Sequence, residues 1–114
     1  MKKLLLLAVS VALMSNAWAG GDAAQGKAAV EKYGCIACHG ADFKSPIDPT
    51  YPKLAGQHQD YLEHALVAYR RGGGVANGRV NAIMNGQAKP LTNTDIQNIT
   101  AYISNLPGTL VMQK

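Results

Sequence analysis

The chain has 114 residues and a formal charge of +4 at pH 7, with 11 basic and 7 acidic side chains. Two of the basic residues, Lys2 and Lys3, lie in a predicted export signal, and the nine basic and seven acidic residues that follow leave a charge of +2. This nearly neutral balance gives no support for a nucleic-acid partner, which normally presents a concentrated patch of Lys and Arg. The length beyond the signal allows one domain.

The first 19 residues have the pattern of a secretory signal peptide. A basic start precedes an apolar stretch over residues 4–14, and Ala17-Trp18-Ala19 offers a cleavage site before Gly20. The apolar stretch is too short for a membrane-spanning helix, which needs about 20 residues. We therefore predict that residues 1–19 are a signal peptide and that residues 20–114 form one periplasmic domain without stable membrane insertion. An uncleaved N-terminal anchor is the alternative.

A first helix is predicted over residues 23–33. Asp22 and Gln25 have the spacing of a capping box at a helix N-terminus, and Gly34 follows the last residue of the segment. Gly26, inside this helix, should cost about 1 kcal/mol relative to Ala. This glycine is therefore either simply tolerated or required because another backbone passes close by.

Two further helices are predicted beyond an irregular loop. Residues 40–57 contain three prolines and are predicted to form an ordered loop. Residues 59–71 carry apolar side chains at helical spacing and are followed by three glycines, which favours a helix that ends there. The last helix is predicted to begin at Thr92, with Asp95 as its capping partner. No strand pattern stands out, so we expect an all-α fold. The apolar stripe of the last helix consists of Ile96, Ile99, Ile103 and Leu106.

The pentapeptide Cys35-Ile36-Ala37-Cys38-His39 directly follows the first predicted helix. It is the attachment signature of c-type haem, in which two thiols form thioethers with the haem vinyl groups and the histidine brings an imidazole to the iron. We therefore predict one covalently bound haem c, attached through Cys35 and Cys38, with His39 as an iron ligand. A thioredoxin-like pair would need a βαβ context, and a zinc site would need a second ligand pair. A Cys35–Cys38 disulfide is the remaining alternative, since the periplasm is oxidising.

With this pentapeptide the chain resembles the class I bacterial cytochromes c, close to the monohaem c553 proteins and the single-domain halves of cytochrome c4. The resemblance covers residues 21–106 and rests on segments 21–24, 35–40, 51–57, 79–84, 91–92 and 101–103. It implies a small class I cytochrome c fold, with about three main helices and loops wrapped around the haem. It also implies a one-electron carrier rather than an enzyme.

The chain departs from that family pattern in two places. It contains no second CxxCH, so we expect one haem rather than the dihaem arrangement of cytochrome c4. Residues 70–77 are unusually rich in glycine, so the family pattern does not predict the conformation of this loop.

The second axial ligand of the iron decides what such a protein does. A His/Met pair raises the haem potential, a His/His pair lowers it, and an open position allows ligand chemistry. The resemblance implies Met84, in the loop between the second and last helices, where similar proteins place their sulfur ligand. Met112 lies in a predicted C-terminal tail, which makes it a weaker candidate. His64 falls opposite the apolar stripe of its helix, and His58 falls near the helix start.

The same resemblance implies two further residues at the haem, Pro52 and Leu54, and the chemistry of Arg79 suggests a third. The backbone carbonyl of Pro52 is expected to accept the second ring N–H of His39, since ligating histidines usually have such an acceptor. Leu54 is expected to pack on the haem, and Arg79 is expected to bind a haem propionate. The alternatives are that Pro52 only shapes the loop and that Arg79 is an ordinary solvated charge.

We expect Gly26 and Val30 to meet Tyr102 and Ile99 where the terminal helices cross, as they would in this fold. The predicted protein is a soluble, monomeric electron carrier between redox proteins, such as a membrane oxidase or a periplasmic reductase. Its near-neutral charge predicts a contact patch of mixed character and a modest salt dependence. The alternatives are a haem-based enzyme or gas or redox sensor with an open or labile sixth position, and a structural protein with a disulfide in place of haem.

Overall fold

The computed structural model describes residues 20–109, and all regular secondary structure in that part of the chain is helical. The predicted all-α fold is confirmed. Two short helices, α2 and α4, accompany the three that were predicted, and none of the helices described is long and apolar enough to cross a membrane. The predicted signal peptide lies outside the described residues. The helices are α1 (Ala23–Lys32), α2 (Ile36–His39), α3 (Gln59–Arg71), α4 (Ala82–Ala88) and α5 (Asn93–Asn105).

Both predicted capping residues begin their helices. The side chain of Asp22 accepts hydrogen bonds from two backbone N–H groups in the first turn of α1, one of them that of Gln25. The backbone N–H of Asp22 donates not to Gln25 but to Asn98 Oδ1 of α5, at 2.8 Å. At the start of α5, Thr92 and Asp95 form the predicted reciprocal capping box, with both hydrogen bonds at 3.0 Å. The cap of α1 therefore also fastens this helix to α5.

Gly26 lies where α1 crosses α5. A Cβ atom at this position would overlap the backbone carbonyl of Asn98 and would lie 2.8 Å from Cβ of Tyr102. Val30 and Ile99 belong to the same buried core on the two helices. The predicted meeting of the terminal helices is therefore present, and Gly26 is required by a close approach of two backbones.

Replacing Gly26 with Ala should destabilise the protein although Ala is the better helix former. The added methyl group meets backbone atoms that cannot rotate away, and overpacking of this kind typically costs about 1–3 kcal/mol of unfolding free energy. Chemical denaturation followed by circular dichroism measures the change.

Gly86 provides the matched control, because it is also in a helix but has open space around the position of a Cβ atom. Gly86→Ala should leave stability unchanged or raise it by up to about 1 kcal/mol. Equal stability of the two variants would contradict the packing argument for Gly26.

The loop between α2 and α3 folds around Phe43, which is fully buried. The backbone carbonyl of Phe43 accepts hydrogen bonds from the N–H groups of Leu54 at 2.8 Å and Ala55 at 3.0 Å. The N–H of Gly56 donates to the carbonyl of Ile103 in α5, at 3.1 Å. These bonds hold the proline-rich loop against the helical core, so that the segment containing Pro52 and Leu54 comes back to α2.

Candidate functional site

A cavity of about 420 Å³ lies between the loop 40–58 and helices α3, α4 and α5. Ligand sites in proteins typically have volumes of about 300–1,000 Å³. The cavity brings together six of the seven predicted site residues from distant parts of the chain, and Cys38 lies just outside the lining. Much of the remaining wall is apolar. The six are Cys35, His39, Pro52, Leu54, Arg79 and Met84. Apolar lining residues include Phe43, Leu62, Leu66, Ile99 and Ile103.

His39 ends the short helix α2 and is 7% exposed. Its Nδ1 lies 3.2 Å from the backbone carbonyl oxygen of Pro52, which can only accept, so Nδ1 is the donor. Burial lowers the pKa of His39, and the hydrogen bond to Pro52 opposes this effect. The imidazole is thus neutral near pH 7, and the lone pair of Nε2 is available to a metal ion. The ring of Phe43 stacks beside it, with 6.1 Å between centroids.

The two cysteines lie at the start and near the end of α2. Gly34 has φ of +71°, a conformation that glycine adopts without strain, and it turns the chain from α1 into this helix. Both thiols are free. Burial raises the pKa of Cys35. Cys38 lies beside Tyr51. The pKa of Tyr51 is raised, chiefly because negative charge on the Cys38 sulfur disfavours negative charge on the Tyr51 oxygen. Tyr51 itself lines the cavity.

Met84 lies in helix α4, so the prediction that it occupies a loop is wrong. The helix begins because the Asn81 side chain accepts hydrogen bonds from the backbone N–H groups of Ile83, at 3.1 Å, and Met84, at 2.9 Å. The helix has only seven residues and no extended apolar stripe, which is why periodicity did not reveal it. Met84 is half-buried and lines the cavity.

Asn85, next to Met84, connects three parts of the structure. Its Nδ2 donates to the backbone carbonyl of Tyr69 in α3, at 2.7 Å, and to that of Arg79, at 2.8 Å. Its Oδ1 accepts from the backbone N–H of Asn81, at 2.8 Å. Sequence reasoning did not identify Asn85, because its partners are backbone groups that leave no trace in side-chain spacing. These three bonds hold the position of the turn that carries Met84.

Replacing Asn85 with Ala removes these three hydrogen bonds. Since each hydrogen bond contributes about 0.5–1.5 kcal/mol net, we expect the free energy of unfolding to fall by about 1.5–4.5 kcal/mol. Chemical denaturation measures this loss.

Gln87 is the control for Asn85, since it is an exposed amide in the same helix and its side chain forms no hydrogen bond within residues 20–109. Gln87→Ala should change stability by less than about 0.5 kcal/mol. An Asn85→Ala variant as stable as Gln87→Ala would show that the three bonds contribute nothing.

Arg79 lies at the rim of the cavity over two aromatic rings. Its guanidinium carbon is 5.6 Å from the ring centroid of Tyr61 and 5.5 Å from that of Tyr69. Hydrogen-bonding contacts with these two side chains raise the pKa of Arg79, and the contact with Tyr61 has the larger effect. Lys53 is the other charged residue of the lining, and among the described residues no Asp or Glu lines the cavity. The rim therefore favours an anionic group.

The other candidate ligands among the described residues, His58 and His64, do not line this cavity. His58 is the exposed N-cap residue of α3, and His64 is exposed on the same helix, as the helical geometry predicted. His64 lines a second, shallow hollow together with Arg71 and Arg79. Met112 lies outside the described residues.

The sequence analysis also missed two aromatic residues of the site, Phe43 and Tyr51. Both have ring centroids 6.1 Å from that of His39. The sequence offered one indication that Phe43 belongs to the site. It is the only phenylalanine of the chain, and it follows His39 by four residues. Its position in a loop rich in Gly and Pro gave no reason to expect a core residue.

A helical fold around one apolar cavity, with a CxxCH segment in its wall, defines a protein of the c-type haem class. The chain belongs to the cytochrome c family, whose model, described as Cytochrome c, matches residues 23–107. Membership implies covalently bound haem c with iron.

Individual relatives agree with this assignment. The chain is 43% identical over 86 residues to cytochrome c-554(548) of Halomonas halodenitrificans, with 75% of this chain and 96% of that protein covered. It is 39% identical over 112 residues to cytochrome c4 of Stutzerimonas stutzeri, with 93% of this chain and 50% of that protein covered. The crystal structure of reduced recombinant cytochrome c4 from Pseudomonas stutzeri has a TM-score of 0.66 and 36% identity, covering 79% and 48% of the two chains. The chain thus spans about half the length of these cytochrome c4 proteins.

The residues of the cavity fit the cofactor that the family implies. Cys35 offers a thiol, His39 a neutral imidazole and Met84 a thioether, all at the wall of the cavity. Imidazole and thioether are established haem iron ligands. The apolar wall suits a porphyrin, and the guanidinium of Arg79 at the rim suits a carboxylate.

Proposed function

We propose that this protein is a periplasmic monohaem cytochrome c that carries single electrons between redox proteins, with His39 and Met84 as the axial ligands of the haem iron. One observation supports this proposal above the others. A buried, neutral imidazole and a methionine sulfur belong to one apolar cavity although 44 residues separate them in the chain. That ligand pair favours a relatively high potential, which suits an electron carrier.

Each residue has a distinct task in this proposal. Cys35 and Cys38 hold the haem through thioethers, so the cofactor cannot dissociate. Held in this way, the haem would supply one-electron chemistry. Pro52 fixes the ring of His39 through its carbonyl, which orients the ligating nitrogen and strengthens it as a donor.

The other residues of the proposal act at the periphery of the haem. Met84 supplies a soft sulfur donor from α4. Leu54 packs on the ring and excludes water, and Arg79 neutralises a propionate. His39 and Met84 together would hold the iron and leave no place there for a substrate.

Export is part of the same proposal, because haem attachment to CxxCH takes place outside the cytoplasm. Residues 1–19 direct the chain to the periplasm, where it acts as a monomer. The electron donor and acceptor are redox proteins, such as a membrane oxidase or a periplasmic reductase.

Haem attachment can be tested directly by expression in the periplasm with the attachment machinery. The product should be red, and its haem should survive acid-acetone extraction because thioethers are not broken by it. Mass spectrometry should give a chain that begins at about Gly20 and carries one haem. A Cys35→Ala/Cys38→Ala variant is the control and should lose the covalent haem. A colourless wild-type product with a Cys35–Cys38 disulfide would refute the proposal.

Replacement of Met84 with Ala tests the second axial ligand. The weak long-wavelength sulfur-to-iron absorption band of the ferric protein should disappear, and the potential should fall, because a soft sulfur donor is lost. Met112→Ala is the matched control and should leave both properties unchanged. If Met112→Ala abolishes the band instead, the wrong methionine has been assigned. Rapid carbon monoxide binding by the unmodified ferrous protein would favour a haem-based enzyme or sensor.

A further inference from the structure

Charged side chains are distributed unevenly between the two halves of the described chain. Residues 20–63 contain six acidic and four basic side chains, whereas residues 64–109 contain one acidic and four basic side chains. No carboxylate side chain occurs between Glu63 and Asp95. The overall charge of about +2 conceals this separation. The four basic residues of the second half are Arg70, Arg71, Arg79 and Lys89.

Carboxylates do not neutralise these four cations. Arg70 donates to two neutral oxygens, a backbone carbonyl and an asparagine side chain. Arg71 and Lys89 are exposed. Within residues 20–109 the one ion pair joins Lys27 and Glu31 of α1, so the basic side chains of the second half have no acidic partner there. Because the proposed function assigns Arg79 to a haem propionate, Arg71 and Lys89 are the exposed cations of this half whose charge is available to an approaching molecule.

Apolar side chains are exposed in the same segment. Val75 is 55% exposed, Val80 is 81% exposed and Ile83 is 50% exposed. The glycine-rich loop permits this arrangement, because Val80 lies against Gly73 and Val75 lies against Gly78, where a larger residue would collide with them. Ile83 also lines the cavity that contains His39 and Met84.

A shallow hollow beside these side chains adds a place for an anion. His64, Arg71 and Arg79 contribute to its wall, and no acidic residue of the described chain does so. Arg79 lines both this hollow and the cavity that contains His39 and Met84, so the two adjoin. Guanidinium groups bind carboxylates with paired hydrogen bonds. We refer to Arg71, Val75, Val80 and Ile83 together as the α3–α4 surface.

We infer that the α3–α4 surface docks an acidic redox protein. The partner presents an apolar patch bordered by Asp and Glu side chains, and one of its carboxylates enters the hollow beside Arg71. Apolar contact at the centre with opposite charges at the border is the usual arrangement of an electrostatically steered interface, and transient redox interfaces bury less than about 1,200 Å².

This inference rests on the proposed electron-carrier function and names the class of partner. It also replaces the modest salt dependence that the overall charge predicted, because steering depends on the local charges that face the partner and not on the sum over the chain. Association should therefore weaken clearly as salt is added.

The test uses an acidic blue-copper protein as the probe and measures its electron exchange with the haem-loaded protein by stopped flow. Arg71→Gln should lower the second-order rate constant about two- to fivefold, the equivalent of one exposed ion pair. Lys32→Gln removes the same charge from exposed α1 and should change the rate little. Added salt should slow exchange with the acidic probe. At low salt, exchange with a basic blue-copper protein should be slower than exchange with the acidic probe.

Amide chemical shifts provide a readout that does not depend on electron transfer. Titration of the ¹⁵N-labelled reduced protein with the reduced acidic probe should shift resonances of residues 71–83, and Arg71→Gln should weaken that response. Shifts confined to residues 40–58, or equal rates for Arg71→Gln and Lys32→Gln, would overturn the inference while leaving the electron carrier intact. Failure to exchange electrons with any redox protein, with the haem attached, would instead overturn the proposed function.

Discussion

The close crossing of α1 and α5 is the contact on which the rest of the structure depends. Gly26 allows the two backbones to touch, and hydrogen bonds join both ends of α1 to α5. Asp22 binds Asn98 at one end, and the hydroxyl of Tyr33 donates to Asp95 at the other, at 2.9 Å. Because α1 leads directly into the CxxCH segment and α5 forms a wall of the cavity, this crossing places Cys35 and His39 beside that wall.

The other walls are built by segments that have little regular structure of their own. The loop after α2 depends on Phe43, which has a positive φ of 55° and is nevertheless fully buried. Its backbone carbonyl accepts hydrogen bonds from the N–H groups of Leu54 and Ala55, which brings Pro52 within hydrogen-bond distance of His39. Asn85 has the equivalent task for α4, since it joins that helix to the end of α3. In both places backbone carbonyls are the acceptors, which lets an irregular chain form a defined cavity.

Local charge matters more than total charge for a protein of this size. Acidic side chains in the first half largely serve the fold, since Asp22 caps α1 and Asp42 and Asp48 bind backbone N–H groups in their own loop. In the second half, Arg71 and Arg79 line the shallow hollow, and no carboxylate of the described residues does so. A nearly neutral chain can therefore present local charge of one sign.

The three longer helices, both capping residues and the CxxCH segment followed from the sequence by itself, because each depends on neighbours a few residues apart. Cys35, Cys38 and His39 form one short motif, and the stripe of α5 has a clear period. The tertiary structure alone decided the contacts among distant segments, including the short helix around Met84, the bonds of Asn85 and the burial of Phe43. Such contacts depend on which backbone groups meet after folding, and side-chain patterns along a chain do not encode that directly.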